Sequence, residues 1–128
     1  MRKFAIITGT AILLLATQAG SFAQGMLPEG VKANGTILTD AKGMTLYTYD
    51  NDKEPGKSSC VAQCLANWPA VAAAATAKPM GSWTVITRDD GSKQLAYKGK
   101  PLYTFAHDAK PGDVTGDGRG KIWHTATL

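Results

Sequence analysis

Cys60 and Cys64 are the only thiols in this 128-residue chain, and His107 and His124 the only imidazoles. An even cysteine count suits a disulfide if the chain is exported. On a regular helix, residues four apart have Cα atoms about 6.2 Å apart. That lies near the top of the usual disulfide window of about 4.4–6.8 Å. Loop entropy for so small a ring gives about 2 kcal/mol at most. Two other chemistries use the same pair: a redox-active dithiol, or a copper or zinc site completed by His107 or His124. The thioredoxin-like two-residue spacing and the haem-attachment Cys-x-x-Cys-His are both absent. Neither histidine stands three or four residues from another ligand. A structural disulfide and two solvated loop histidines are therefore expected.

Other constellations are weaker. Asp113-Val-Thr-Gly-Asp117-Gly118 resembles the start of a calcium loop, but the twelfth position falls on His124 where a bidentate Glu belongs. A Gly-rich turn whose Asp side chains bond their own backbone accounts for the run. No Gly-x-Ser-x-Gly elbow, Gly-Lys-Ser/Thr phosphate loop or His-Glu-x-x-His occurs. No cofactor is expected, with a metal or haem as the alternative. The aromatic residues Tyr47, Tyr49, Trp68, Trp83, Tyr103, Phe105 and Trp123 could line a groove for a flat ligand. A small β domain also needs such side chains as core, which is the reading preferred here.

The elements that position these residues are repeated. Gly43 to Gly56 lies over Gly99 to Gly112 without a gap at an offset of 56, with seven of fourteen positions identical. In each copy alternating residues divide a strand, Tyr47 and Tyr49 against Leu46 and Thr48, and Tyr103 and Phe105 against Leu102 and Thr104. Asp52 with Pro55-Gly56, and Asp108 with Pro111-Gly112, then form a turn requiring a positive φ at the glycine. Asp52 and Asp108 are also the partners expected for the tyrosine hydroxyls.

Around the copies, residues 24–42 read as a Pro- and Gly-bearing lead containing a strand at Thr36–Thr39 and a turn at Asp40–Gly43. Ser58 or Ser59 is expected to cap a helix from Cys60 to Asn67, stopped by Trp68-Pro69. Residues 69–80 read as a linking segment. Trp83–Arg88 and Lys93–Lys98 form a hairpin around Asp89-Asp90-Gly91, and a last strand lies within Lys121–Thr127. The fold class is mainly β: a small antiparallel domain of two pseudo-symmetric repeats (about 35–69 and 83–126) with one short helix carrying both cysteines. Because the two copies share one core, neither is expected to be stable alone.

Residues 1–23 read as a signal peptide. Arg2 and Lys3 precede an uncharged apolar run from Phe4 to Ala16, and Ser21-Phe22-Ala23 places small residues for cleavage before Gln24. The run is too short for the roughly 20 residues of a membrane-crossing helix. No second long apolar segment follows, so the mature chain, residues 24–128, is expected to be a soluble periplasmic or secreted domain. Without Arg2 and Lys3 the formal charge falls from +4 to +2. The remaining basic residues are scattered, which disfavours nucleic acid.

Tyr47-x-Tyr49-x-x-Asp52 and Tyr103-x-Phe105-x-x-Asp108 resemble the Yx(FWY)xxD signature of a bacterial family of secreted repeats, many of them predicted lipoproteins, of unknown function. The resemblance extends to Cys60, Cys64, Trp68-Pro69, Gln94 to Tyr97 and Trp123-His124. It implies export and a two-repeat fold, but no activity. The chain lacks the lipobox cysteine of the lipoprotein members. The reading is an exported, non-catalytic cell-envelope module that binds an unknown envelope protein or small ligand. The alternative is an envelope redox or metal-handling protein using Cys60/Cys64 with His107 or His124.

Overall fold

The computed structural model describes residues 27–128, and the expected signal peptide and cleavage point lie outside them. The described residues form seven short strands: β1 (Val31–Asn34), β2 (Ile37–Asp40), β3 (Tyr47–Tyr49), β4 (Trp83–Thr87), β5 (Lys93–Tyr97), β6 (Lys100–Pro101) and β7 (Trp123–Thr125). One helix, α1 (Gln63–Asn67), follows β3, and a 3-10 turn at Arg119–Lys121 precedes β7. All strand pairing is antiparallel, in the pairs β1–β2 and β3–β7 and the three-stranded order β4–β5–β6. The fold is thus mainly β with one short helix.

The two repeats exchange their ends. In the first, Leu46 N–H donates to the Leu38 carbonyl, and both leucines bond Ala126, which comes from the end of the second repeat. In the second, Leu102 N–H donates to the Leu95 carbonyl, and both bond Val71, from the end of the first. At the centre, Tyr47 and Tyr103 exchange backbone hydrogen bonds of 2.7 and 3.0 Å. This pair sits on the pseudo-twofold axis, and the strand alternation sorts the core on either side of it. Leu46 and Leu102 face a mainly aliphatic cluster with Val31, Leu38, Leu95 and Ala126, joined by Trp83. Tyr47, Tyr103 and Phe105 face an aromatic cluster with Cys60, Trp68 and Trp123.

Three expectations need correction. Residues 31–34 form β1 where only a lead segment was read; the hairpin turns through Gly35 at φ 65° after Asn34. The linking segment is not plain linker, because Ala70 and Ala72 make bridges to Tyr103 and Gln94. The helix starts at Gln63, so it carries Cys64 but not Cys60, and neither Ser58 nor Ser59 caps it. Both serines are engaged elsewhere: Ser59 N–H and Oγ donate to Asp52, and Ser58 Oγ meets Tyr103 and Arg88. The 83–98 hairpin pairs residue for residue from Trp83↔Tyr97 to Thr87↔Lys93. Gly56 and Gly112 hold φ of 80° and 90° in the repeated turns, which favours glycine there.

Gly116 is a different kind of glycine. It is buried, and an added Cβ would lie 2.7 Å from Trp68 Cη2 and 3.1 Å from Phe105 Cδ2. Gly116→Ala should cost about 1–3 kcal/mol by overpacking. Gly112→Ala, which has open space but a left-handed backbone, should cost about 1–2 kcal/mol through conformation alone. Denaturant unfolding checks both, and an unchanged midpoint for Gly116→Ala would contradict the packing described.

Candidate functional site

The residues that the sequence singles out converge on the twofold axis, but across repeats. Tyr47 Oη donates to Asp108 Oδ2 at 2.7 Å, and Tyr103 Oη donates to Asp52 Oδ2 at 2.7 Å. Each tyrosine of one copy thus bonds the aspartate of the other. The second carboxylate oxygen of each is satisfied locally. Asp52 Oδ1 accepts Ser59 N–H and Oγ, and Asp108 Oδ1 accepts Thr115 N–H and Oγ1. All four tyrosine and aspartate side chains are buried. A buried carboxylate stripped of these donors would carry a large desolvation penalty.

The hydroxyls have one further contact each, and here the copies differ. Gly116 N–H donates to Tyr47 Oη at 3.2 Å, whereas Ser58 Oγ bonds Tyr103 Oη. Burial, followed by the hydrogen bond to Asp108, pushes the Tyr47 phenol well above its usual range. Burial does the same for Tyr103, opposed by the Ser58 hydrogen bond and reinforced by Asp52.

Tyr49, Phe105 and two tryptophans complete the cluster as a four-ring stack. Trp68 and Trp123 lie face to face with centroids 3.7 Å apart and planes 2° from parallel. Phe105 covers the outer side of Trp68 at 4.2 Å, and Tyr49 stacks on Trp123 at 4.2 Å. Again the partners are exchanged, since Trp68 follows the first copy and Phe105 belongs to the second. Tyr47 meets Trp68 edge-on, as Tyr103 meets Trp123. These rings form core, as preferred from the sequence, and the two tryptophan faces are used up within it.

Cys60 and Cys64 are bonded to each other, with Cα atoms 5.2 Å apart. The spacing is shorter than the regular-helix value because Cys60 precedes the helix, and Ala62 at φ 54° turns the chain between them. Arg88, from the hairpin, donates to the Cys60 carbonyl, Ser58 Oγ and the buried Gln94 side chain. It ties the disulfide loop to the second repeat.

The histidines lie apart from the sulfurs' chemistry. His124 Nε2 is 2.8 Å from Asp50 Oδ2 on the exposed edge of β7, and His107 rests edge-on against Phe105 at 5.1 Å. Among the described residues no group of three His, Cys, Asp or Glu is placed to hold a metal ion. Asp113 Oδ2 accepts the Ala109 and Lys110 N–H groups, and Asp117 Oδ1 accepts that of Thr125. The candidate calcium-loop acids thus serve the backbone.

The important residues whose roles were not read from sequence are Ser59, expected as a helix cap, and Thr115, Arg88 and Gly116. Ser59 and Thr115 had a signal, as each stands seven positions after its repeat's Asp. Arg88 had none, since its partners come from distant segments.

A testable consequence is alkaline lability. The raised phenols give stability that is fully present below the ordinary tyrosine pKa of about 10 and is lost as pH rises towards their folded values. Thermal unfolding should therefore be level from neutral pH to about 10 on account of these groups and fall above it. Ultraviolet titration should show the Tyr47 and Tyr103 phenolates appearing together with unfolding. Phenolates at both positions in the still-folded protein would contradict the burial described.

Among the described residues no helix is long and apolar enough to cross a membrane. No curated protein and no solved structure matches the chain. One family model does, over residues 31–72 and 84–127, once for each repeat. Those spans cover more than half of the sequence, and the chain belongs to the family described as a secreted repeat of unknown function.

Proposed function

We propose that this protein is an exported, non-catalytic binding module of the cell envelope, a rigid two-repeat scaffold that presents loops to a partner. The observation that carries this reading is the mutual satisfaction of Tyr47 with Asp108 and Tyr103 with Asp52. The repeated polar residues, the natural suspects for acid–base work, are buried and bonded to one another, which suits a structural role better than a catalytic one. The disulfide suits an oxidising compartment, and the family is described as secreted. The turn at Gly118 and Gly120 and the helix-bearing loop lie exposed on this core, the kind of surface on which binding residues are commonly carried.

The test is to express the full chain in its host, fractionate the cells and crosslink the envelope before extraction. The protein should be found in the envelope fraction, start at Gln24, weigh two hydrogens less than the reduced form and be crosslinked to a partner. A cytosolic protein with free thiols would overturn the reading.

A further inference from the structure

Beyond the Pro-Gly turn that both repeats share, the two halves of the chain part. Leu65 N–H bonds the Ala62 carbonyl at 3.0 Å, and Lys121 N–H bonds the Gly118 carbonyl at 3.0 Å. Ala62 and Gly118 both have positive φ. The offset of 56 therefore holds through this turn, and Cys60 and Cys64 correspond to Gly116 and Gly120. The first repeat fills this place with a disulfide. The second has no side chain at either position. Trp68 moves over Gly116, and beside Gly120 there remains a shallow groove of about 270 Å³.

The groove has a definite chemistry. It is lined by Trp68, Phe105 and Trp123, with Ile122, His107 and Arg119 around them. Both tryptophans are sandwiched within the four-ring stack, so they offer edges and not faces. Ring edges carry the positive side of the aromatic quadrupole. The Arg119 guanidinium lies over the Phe105 ring at 4.9 Å, and its Nε is fixed by the Thr115 carbonyl at 3.1 Å. Its two Nη groups remain as a fork suited to a carboxylate. Among the described residues no acidic side chain lines the groove. At the equivalent positions of the first repeat stand Gln63 for Arg119 and Asn51 for His107, so the charge belongs to the second repeat alone.

We propose that this groove binds a small single-ring carboxylate, its ring against the aromatic edges and Ile122, its carboxylate on the Arg119 fork. The proposal rests on the binding-module reading and names the ligand class of one of its surfaces. Repeat symmetry explains the division of labour: one half carries the staple, and the other leaves the same place open.

The probe is benzoate, titrated into the full oxidised chain and read by tryptophan fluorescence and calorimetry. Benzamide, acetate and phosphate serve as controls. Saturable benzoate binding is expected, at least about tenfold tighter than each control, as one charge-assisted contact plus ring burial would give. Arg119→Gln, at an exposed position, should weaken benzoate about tenfold and lower the melting temperature by no more than a few degrees, the loss of its contacts with Phe105 and Thr115. Three results would overturn the site. They are no saturable binding, benzamide binding as tightly as benzoate, and acetate or phosphate doing so. Equal benzoate affinity in Arg119→Gln would remove the assigned fork. None of these outcomes touches export or crosslinking, so failure of the groove is distinguishable from failure of the module.

Discussion

The fold depends on a buried exchange between halves: each repeat's tyrosine hydroxyl is the donor that the other repeat's aspartate needs. Asp52 and Asp108 are buried, and among the described residues none of their hydrogen bonds comes from a cation. Their oxygens are satisfied by one phenol from across the axis and two donors from the following turn. Separating the repeats would leave both acids short of a donor and both hydroxyls short of an acceptor, in surroundings where such losses are costly. The exchanged backbone bonds at Tyr47–Tyr103 and the swapped ends, Ala126 and Val71, enforce the same dependence. The repeat is therefore a half-core and not a domain.

Around that symmetric centre the two halves have been finished differently. The first repeat spends a disulfide, a positive-φ alanine and the Arg88 brace on its turn. The second uses Gly118 at a positive φ and Gly116, whose missing side chain lets Trp68 settle onto the backbone with Trp123 stacked upon it. Five residues are too few to form a stable helix unaided, and α1 has no side-chain cap. Its order comes from the covalent bridge at Cys64 and from the Trp68 N–H donated to the Cys64 carbonyl. Symmetry supplies the stable frame, and its local breaking supplies a surface that differs from one side to the other.

Much of this was legible in the chain. The offset of 56 located both strands, their alternation and their closing turns, because those features obey local rules of period and backbone conformation. The Asp89-Asp90-Gly91 hairpin was legible for the same reason. The Asn34-Gly35 hairpin carried a similar signal, weakened by β1 burying only Val31 among its four residues. The early helix start expected at Ser58 or Ser59 failed because the buried Asp52 holds the Ser59 hydroxyl, and Tyr103 and Arg88 hold that of Ser58. Which tyrosine meets which aspartate could not be read at all. Both pairings satisfy the same sequence, and only the swapped strand ends decide between them.

The most direct measurement is a pair of double-mutant cycles on unfolding free energy, using Tyr47→Phe with Asp108→Asn and Tyr47→Phe with Asp52→Asn. If hydroxyl and carboxylate are exchanged across the axis, the first cycle should show a coupling of about 0.5–3 kcal/mol, and the second should be additive within about 0.5 kcal/mol. Coupling between Tyr47 and Asp52, with Tyr47 and Asp108 independent, would mean that each repeat closes on itself, and would contradict the exchanged core on which this account rests.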